Sequence, residues 1–210
     1  MHADQTQFLF DFGSPNAYLC HKVLAGVEHR TGTQIEYVPI LLGGLFKLAN
    51  NRSPIEAFAG IPNKLAYDML EIKRFVAKHQ LTQFRMNPHF PVNTLKIMRL
   101  AVAAQASGCG QAYTDAVFAA MWEAGRNMDD VGEISAVLQA AGLDGGALLA
   151  KAQEPDIKAR LAANTQTAFE RGAFGAPSFF VGDQLFFGKD RLRDFEDEIV
   201  NQRSNLRPAP

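Results

Sequence analysis

Gln7-Phe8-Leu9-Phe10-Asp11-Phe12 is a short aromatic run that stops at Gly13-Ser14-Pro15. It reads as a buried strand running into a turn. From Pro15 to about Arg30 the period changes. Tyr18, Leu19, Val23, Leu24 and Val27 recur at helical spacing, and Gly32 follows as a stop signal. Gln34-Ile35-Glu36-Tyr37-Val38-Pro39-Ile40 then alternates and reads as a second strand. Strand, helix and strand in so short a stretch form a βαβ unit, which implies parallel strands and a right-handed crossover.

Outward from this unit, no strand is expected between about Leu45 and Leu149. Lys64 to His79 is amphipathic, with Leu65, Met69, Ile72, Phe75 and Val76 on one face. Leu95 to Ala106, Ala112 to Ala124, Val131 to Ala141 and Ala147 to Lys151 are further helices, and the proline-bearing segment from Phe84 to Pro91 is a loop. Pro155 to Arg171 is one more helix, opened by proline and closed by Gly172. Ser178-Phe179-Phe180-Val181 and Gln184-Leu185-Phe186-Phe187 flank Gly182-Asp183, a β-hairpin signature. A charged helix from Asp190 to Val200 follows. The order β-α-β, helical block, α-β-β-α predicts an α/β protein, a thioredoxin-like fold with a large all-helical insertion. The expected division is 1–44 and 153–203 for the thioredoxin-like domain, 45–152 for the insertion and 204–210 for a loose tail.

Composition narrows the function. The 210 residues exceed the ~150 typical of one domain, which fits one domain carrying an insertion. Hydrophobic residues make up 47%, enough for a real core, which excludes disorder for the bulk of the chain. With 21 Lys+Arg against 22 Asp+Glu there is no basic excess to neutralise phosphates, so nucleic acid is not an expected partner. No apolar stretch reaches the ~18 residues of a membrane span, and the first residues, Met1 to Gln5, have no leader-like pattern. The expectation is a cytoplasmic protein that does not engage a membrane. Two cysteines, Cys20 and Cys109, cannot supply a disulfide framework.

Three stretches could carry chemistry. Ser14-Pro15 stands where the first strand becomes a helix. Serine and proline there are ordinary capping residues, yet a helix N-terminus also favours an anion, and a serine hydroxyl can donate to a thiolate. Pro177, after Gly172-Ala173-Phe174-Gly175-Ala176, sits at a strand start, where a cis bond would turn the backbone of Ala176 toward a ligand. Gly188-Lys189-Asp190-Arg191-Leu192 opens the last helix, with Asp190 as the expected N-cap. The polar residues Asn50, Asn51, Lys64, Arg85, Asn87 and Asn93 lie near loops of the helical block. The histidines show no metal-ligand spacing, and no metal is expected. There is no P-loop, dinucleotide fingerprint or GxSxG elbow.

Phe10-Asp11-Phe12-Gly13-Ser14-Pro15-Asn16-Ala17-Tyr18-Leu19 resembles the FDFxSPxxYL opening of 2-hydroxychromene-2-carboxylate isomerases and kappa-class glutathione transferases. Phe90-Pro91-Val92-Asn93-Thr94 with Arg99 resembles their mid-chain segment. Gly172-Ala173-Phe174-Gly175-Ala176-Pro177 and Phe187-Gly188-Lys189-Asp190-Arg191-Leu192 resemble their closing GxFGxP…FxGxDRL. The resemblance covers nearly the whole chain and extends to the fold of DsbA-type disulfide oxidoreductases. It implies glutathione as cofactor, an aromatic α-keto acid as substrate and a homodimer. Ser14 would lie beside the glutathione sulfur, with Ala176 and Pro177 along its cysteinyl part and Lys189, Asp190 and Arg191 at its γ-glutamyl end. Lys64 would meet its glycyl carboxylate. Lys47, Asn50, Asn51, Arg85 and Asn87 are the candidate substrate contacts. The family often has a small hydroxyl residue where Lys189 stands.

In the oxidoreductases that share this fold, positions 14 and 17 would form Cys-x-x-Cys; here they are Ser14 and Ala17, which excludes dithiol redox chemistry at that site. The expected reaction is a glutathione-dependent cis-trans isomerisation of 2-hydroxychromene-2-carboxylate or a related aromatic α-keto acid. The alternatives are a kappa-like glutathione transferase or peroxidase and a non-catalytic thioredoxin-fold binding or chaperone module.

Overall fold

A computed structural model describes residues 5–205. The leader reading at Met1–Asp4 and all but the first two residues of the expected loose tail lie outside that range. The chain runs β1 (Thr6–Phe10), α1 (Pro15–Thr31), β2 (Glu36–Pro39), then α2 (Leu42–Leu48), α3 (Pro54–Ala57), α4 (Pro62–Lys78), α5 (Leu95–Ala106), α6 (Gly110–Trp122), α7 (Val131–Ala140) and α8 (Gly145–Lys151). It closes with α9 (Pro155–Glu170), β3 (Ser178–Val181), β4 (Gln184–Phe187), a 3-10 turn (Lys189–Arg191) and α10 (Leu192–Asn205).

The four strands form one sheet in the order β2-β1-β3-β4. β1 and β2 are parallel, as the βαβ reading requires, with Gln7 opposite Glu36 and Phe10 opposite Pro39. β3 runs antiparallel to both β1 and β4, so the Gly182-Asp183 hairpin is present. Because β1 is internal, both its faces are covered: Phe8 and Phe10 are fully buried and Leu9 nearly so. Side chains alternate across a strand, and the two faces enter different clusters. Phe8 and Phe10 pack with Leu19, Leu24, Phe118 and Trp122, whereas Leu9 packs with Ile40, Leu45, Ala168 and Phe180.

The central helices share the sheet's core. Phe118 of α6 lies 4.7 Å from Phe12 and 5.6 Å from Phe10, centroid to centroid. α1 ends as expected, with Gly32 in the left-handed region at φ 62° and its N–H donating to the Glu28 carbonyl. Two short helices were not expected. α3 carries a local signal, since Ser53 and Glu56 form a reciprocal capping box with Pro54 in the first turn. α2 carries none. Its N-cap, Leu41, has no capping side chain, and the first turn contains Gly43 and Gly44. Its start is held from elsewhere: the Leu42 N–H donates to Asp11 Oδ2 at 2.8 Å and the Leu41 N–H to Thr165 Oγ1 at 2.9 Å. The expected apolar face of α4 is only partly covered: Ile72 is buried, Leu65, Phe75 and Val76 are half-buried, and Met69 is exposed. Asp190 is not a helix N-cap. Gly188 takes the cap position of the 3-10 turn, and the Asp190 carboxylate turns to Lys189.

Candidate functional site

The fold draws the three sequence stretches together. Ser14 caps α1, accepting from the Ala17 N–H at 3.2 Å, while its own N–H donates to the Asp11 carbonyl at 3.0 Å. Its hydroxyl donates to the Ala176 carbonyl at 2.9 Å. Ala176-Pro177 is a cis peptide bond. The Pro177 carbonyl accepts from the Gly188 N–H at 2.9 Å, and Gly188 opens the turn Lys189–Arg191. Residues 14, 176 and 188 are thus joined by two hydrogen bonds across most of the chain's length.

The junction of β1 and α1 is gripped by the helical block. The Trp122 indole N–H donates to the Phe12 carbonyl at 2.8 Å, and the Phe12 N–H points to Met98 Sδ at 3.5 Å. Asp11 accepts from the Gly13 N–H at 2.8 Å, the Leu42 N–H at 2.8 Å and the Thr94 hydroxyl at 3.1 Å. Burial pushes the Asp11 carboxyl above the usual carboxylate range, and the three donors oppose that shift. A raised folded-state value means that the folded chain takes up the proton first. This group therefore adds stability as pH falls through its folded-state value and removes it as pH rises. Asp11, Thr94, Met98 and Trp122 did not stand out as site residues. The one available signal was a carboxylate inside an otherwise apolar run.

Other candidates divide. Asn51 Nδ2 donates to the Phe174 carbonyl at 2.9 Å, which ties the α2–α3 connection to the loop before Pro177. Asn50, beside it, is exposed and adopts a positive φ of 48°. Lys47 on α2 and Arg85 before the Pro88 loop are exposed. The Arg85 N–H donates to the Trp122 carbonyl at 2.8 Å. Lys64, in the first turn of α4, pairs with Asp68 and lies 4.9 Å from the Phe58 ring centroid. Lys189 is buried, pairs with Asp190 and sits 5.7 Å from the Phe75 ring, while Arg191 pairs with Asp194 at 3.3 Å. Asn87 is engaged within the protein. It is buried, its amide donates to the Met121 and Arg126 carbonyls at 2.9 Å each, and its oxygen accepts from the His89 N–H at 2.8 Å. Both polar atoms of its side chain are thus engaged by backbone groups.

Phe174 and Phe187, both partly exposed, face each other at 4.4 Å beside the Ala176-Pro177 turn. A Cβ on Gly175 would stand 2.8 Å from Phe187 Cε2. Gly175→Ala is therefore expected to push the Phe187 ring aside and to cost about 1 kcal/mol by overpacking. Urea unfolding followed by circular dichroism checks this, and unchanged stability would show that the ring moves freely.

Asn16 Oδ1, in the first turn of α1, is buried and has no hydrogen-bond partner among the described residues. A buried acceptor without a donor is costly, and this one lies two residues from Ser14. Cys20, further along α1, is buried and free. Burial raises its thiol well above the usual range, the Lys189 ammonium opposing, so it is not a reactive thiol. Two cavities of about 800 and 640 Å³ exclude both Ser14 and Ala176, although the second reaches Lys189 and Asp190. Among the described residues, no helix is long and apolar enough to cross a membrane.

Residues 5–200 match the family described as DSBA-like thioredoxin domain. The chain is 31% identical over 196 residues to a 2-hydroxychromene-2-carboxylate isomerase of Sphingobium xenophagum, covering 92% of this chain and 97% of that one. It is 25% identical over 202 residues to glutathione S-transferase kappa 1 of Rattus norvegicus, covering 89% of this chain and 86% of that one. A solved 2-hydroxychromene-2-carboxylate isomerase superposes with a TM-score of 0.81 at 25% identity, over 96% of this chain and 98% of that one. The chain belongs to the DsbA-like thioredoxin family and, within it, to the family of the 2-hydroxychromene-2-carboxylate isomerases.

Proposed function

We propose that the protein is a glutathione-dependent cis-trans isomerase acting on 2-hydroxychromene-2-carboxylate or a closely related aromatic α-keto acid. The observation that carries this reading is the hydrogen bond from Ser14 to the Ala176 carbonyl at the N-terminus of α1. It places a hydroxyl donor, a helix end and a backbone carbonyl at one point, the groups that a cysteinyl residue needs for its sulfur and its amide N–H. The unpartnered Asn16 Oδ1 nearby suits a further ligand donor.

Bound glutathione would supply the nucleophile, a thiolate that adds to the conjugated C=C, frees it to rotate and leaves again. The chain supplies the setting. The α1 N-terminus stabilises negative charge at Ser14. The Ser14 hydroxyl, which donates to the Ala176 carbonyl, would turn to the sulfur once a ligand N–H took over that carbonyl. The carbonyl keeps a donor and the hydroxyl gains an anionic acceptor, and a hydrogen bond to a charged group is the stronger kind. Lys189, Asp190 and Arg191 stand by for the γ-glutamyl end, Lys64 for the glycyl carboxylate, and Lys47, Asn50, Asn51 and Arg85 for the substrate. The chain has Ser14 and Ala17 where a dithiol would stand, so it neither oxidises nor reduces at this position.

The test follows the ultraviolet spectrum of 2-hydroxychromene-2-carboxylate with protein, with and without glutathione. Conversion that requires both is the expected result; a glutathione conjugate accumulating instead would favour the transferase. Calorimetric titration with glutathione separates either enzyme from a binding module, and no heat at millimolar glutathione would remove both enzyme readings. The proposed assembly is a homodimer in the cytoplasm, which sedimentation and fractionation check.

A further inference from the structure

Among the described residues, Asp11 and Lys189 are the buried charged side chains, and only Lys189 has an ion-pair partner. The Asp11 carboxylate is fully buried and meets three donors and no acceptor; the donors favour its ionised form against the burial that opposes it. Each donor comes from a different segment: Gly13 in the β1–α1 turn, Leu42 at the first residue of α2, and Thr94 just ahead of α5. Each stands at or just before the start of a helix. All three are uncharged, and among the described residues no cation forms an ion pair with the carboxylate.

We propose that Asp11 is a positioning residue for the thiol site: it fixes the N-terminus of α1 against α2 and α5, and its uncompensated charge makes a thiol held at Ser14 less acidic than the helix end alone would make it. The proposal rests on the reading that a thiol is held there. The hydrogen bond from the Ser14 N–H to the Asp11 carbonyl closes a four-residue turn, which keeps the two Cα atoms within about 7 Å. At about 10 Å and an effective dielectric of about 20, one buried charge moves a neighbouring thiol's midpoint by about one pH unit. Such restraint has a chemical use. A thiolate made too stable is a poorer nucleophile, and the best attacking thiol has a midpoint near ambient pH. A thiol that must both add and leave gains from a helix end that favours the anion and a carboxylate that limits the favour. The backbone role is visible in α2, whose own sequence provides no cap.

The test places a thiol in the protein itself. Ser14→Cys puts one at the α1 N-terminus, and its ionisation is read from absorbance at 240 nm against pH, with the unmodified protein as blank for Cys20 and Cys109. Adding D11N to S14C is expected to move the midpoint down by about one unit. Adding T94V, which removes one donor but keeps the charge, is expected to leave it in place. An unmoved or higher midpoint in a folded S14C/D11N protein, or an equal fall with T94V, overturns the proposal. Should D11N not fold, the Asp11 carboxyl carbon shift of S14C, followed by NMR, must show a second step at the thiol midpoint, and a trace without that step also overturns it. None of these readouts needs glutathione. A protein that shows the shift but ignores glutathione sinks the isomerase reading alone, and one that isomerises without the shift sinks the Asp11 assignment alone.

Discussion

Replacing Ser14 with alanine is expected to lower kcat/KM of the glutathione-dependent isomerisation by about 100-fold. The hydroxyl donates to the Ala176 carbonyl and accepts from the Ala17 N–H. Alanine can do neither. A hydrogen bond to a charged partner is worth about 1.5–3 kcal/mol, and each 1.36 kcal/mol is tenfold in rate. Losing the N-cap costs about 1 kcal/mol of stability as well. The two effects separate experimentally: circular dichroism during denaturation reads the cap, and substrate absorbance at saturating and limiting glutathione reads the site. A protein that keeps full rate would remove the role assigned to the hydroxyl. In Ser14→Thr the hydroxyl remains, and the rate is expected to lie between the two.

Trp122→Ala is expected to be the most destabilising single change considered, by about 4 kcal/mol. The indole is fully buried, packs 5.9 Å from Phe90 and 6.3 Å from Phe84, and donates its N–H to the Phe12 carbonyl at 2.8 Å. Truncating a buried tryptophan opens a cavity costing about 3–5 kcal/mol, and here it also strands a buried carbonyl. Trp122→Phe isolates the second part and is expected to cost about 1–3 kcal/mol. Chemical denaturation followed by far-ultraviolet circular dichroism measures both, since the chain has only this tryptophan to fluoresce. The phenylalanine variant also reaches the site, because Phe12 lies two residues before Ser14. If it unfolds like the native chain and keeps its rate, the α6 grip on the turn is not important to the site.

Much of the fold is written locally. Phe8 to Phe10 could be read as a strand because an internal strand buries both faces and leaves a continuous apolar run, although the strand ends at Phe10 and Asp11 and Phe12 already belong to the turn. α1 could be bounded at both ends because serine and glycine solve its capping problem within the sequence. The hairpin was legible because the Gly182-Asp183 pair suits its turn. α2 was not legible, for a physical reason: its first N–H groups are satisfied by Asp11 and Thr165, distant residues that supply what a local cap would supply. Met69 looked like core because periodicity marks a face, whereas burial depends on what packs against it. Asn87 looked like a free polar group in a loop, and only the folded chain brings the Met121 and Arg126 carbonyls to it.

The sequence by itself determined the βαβ start, the helical middle, the closing hairpin and the replacement of a dithiol by Ser14 and Ala17. These depend on periodicity, capping and residue identity, which act over a few neighbours. The tertiary structure decided that Ser14 meets Ala176 from 162 residues away and that Asn51 reaches Phe174. It also decided that one carboxylate, Asp11, ties the turn before α1 to α2 and α5. All but the Thr94–Asp11 contact join a side chain to a distant or neighbouring backbone group, and backbone chemistry is the same in every residue. No local pattern marks them until packing of the sheet against the helices brings them within hydrogen-bonding distance.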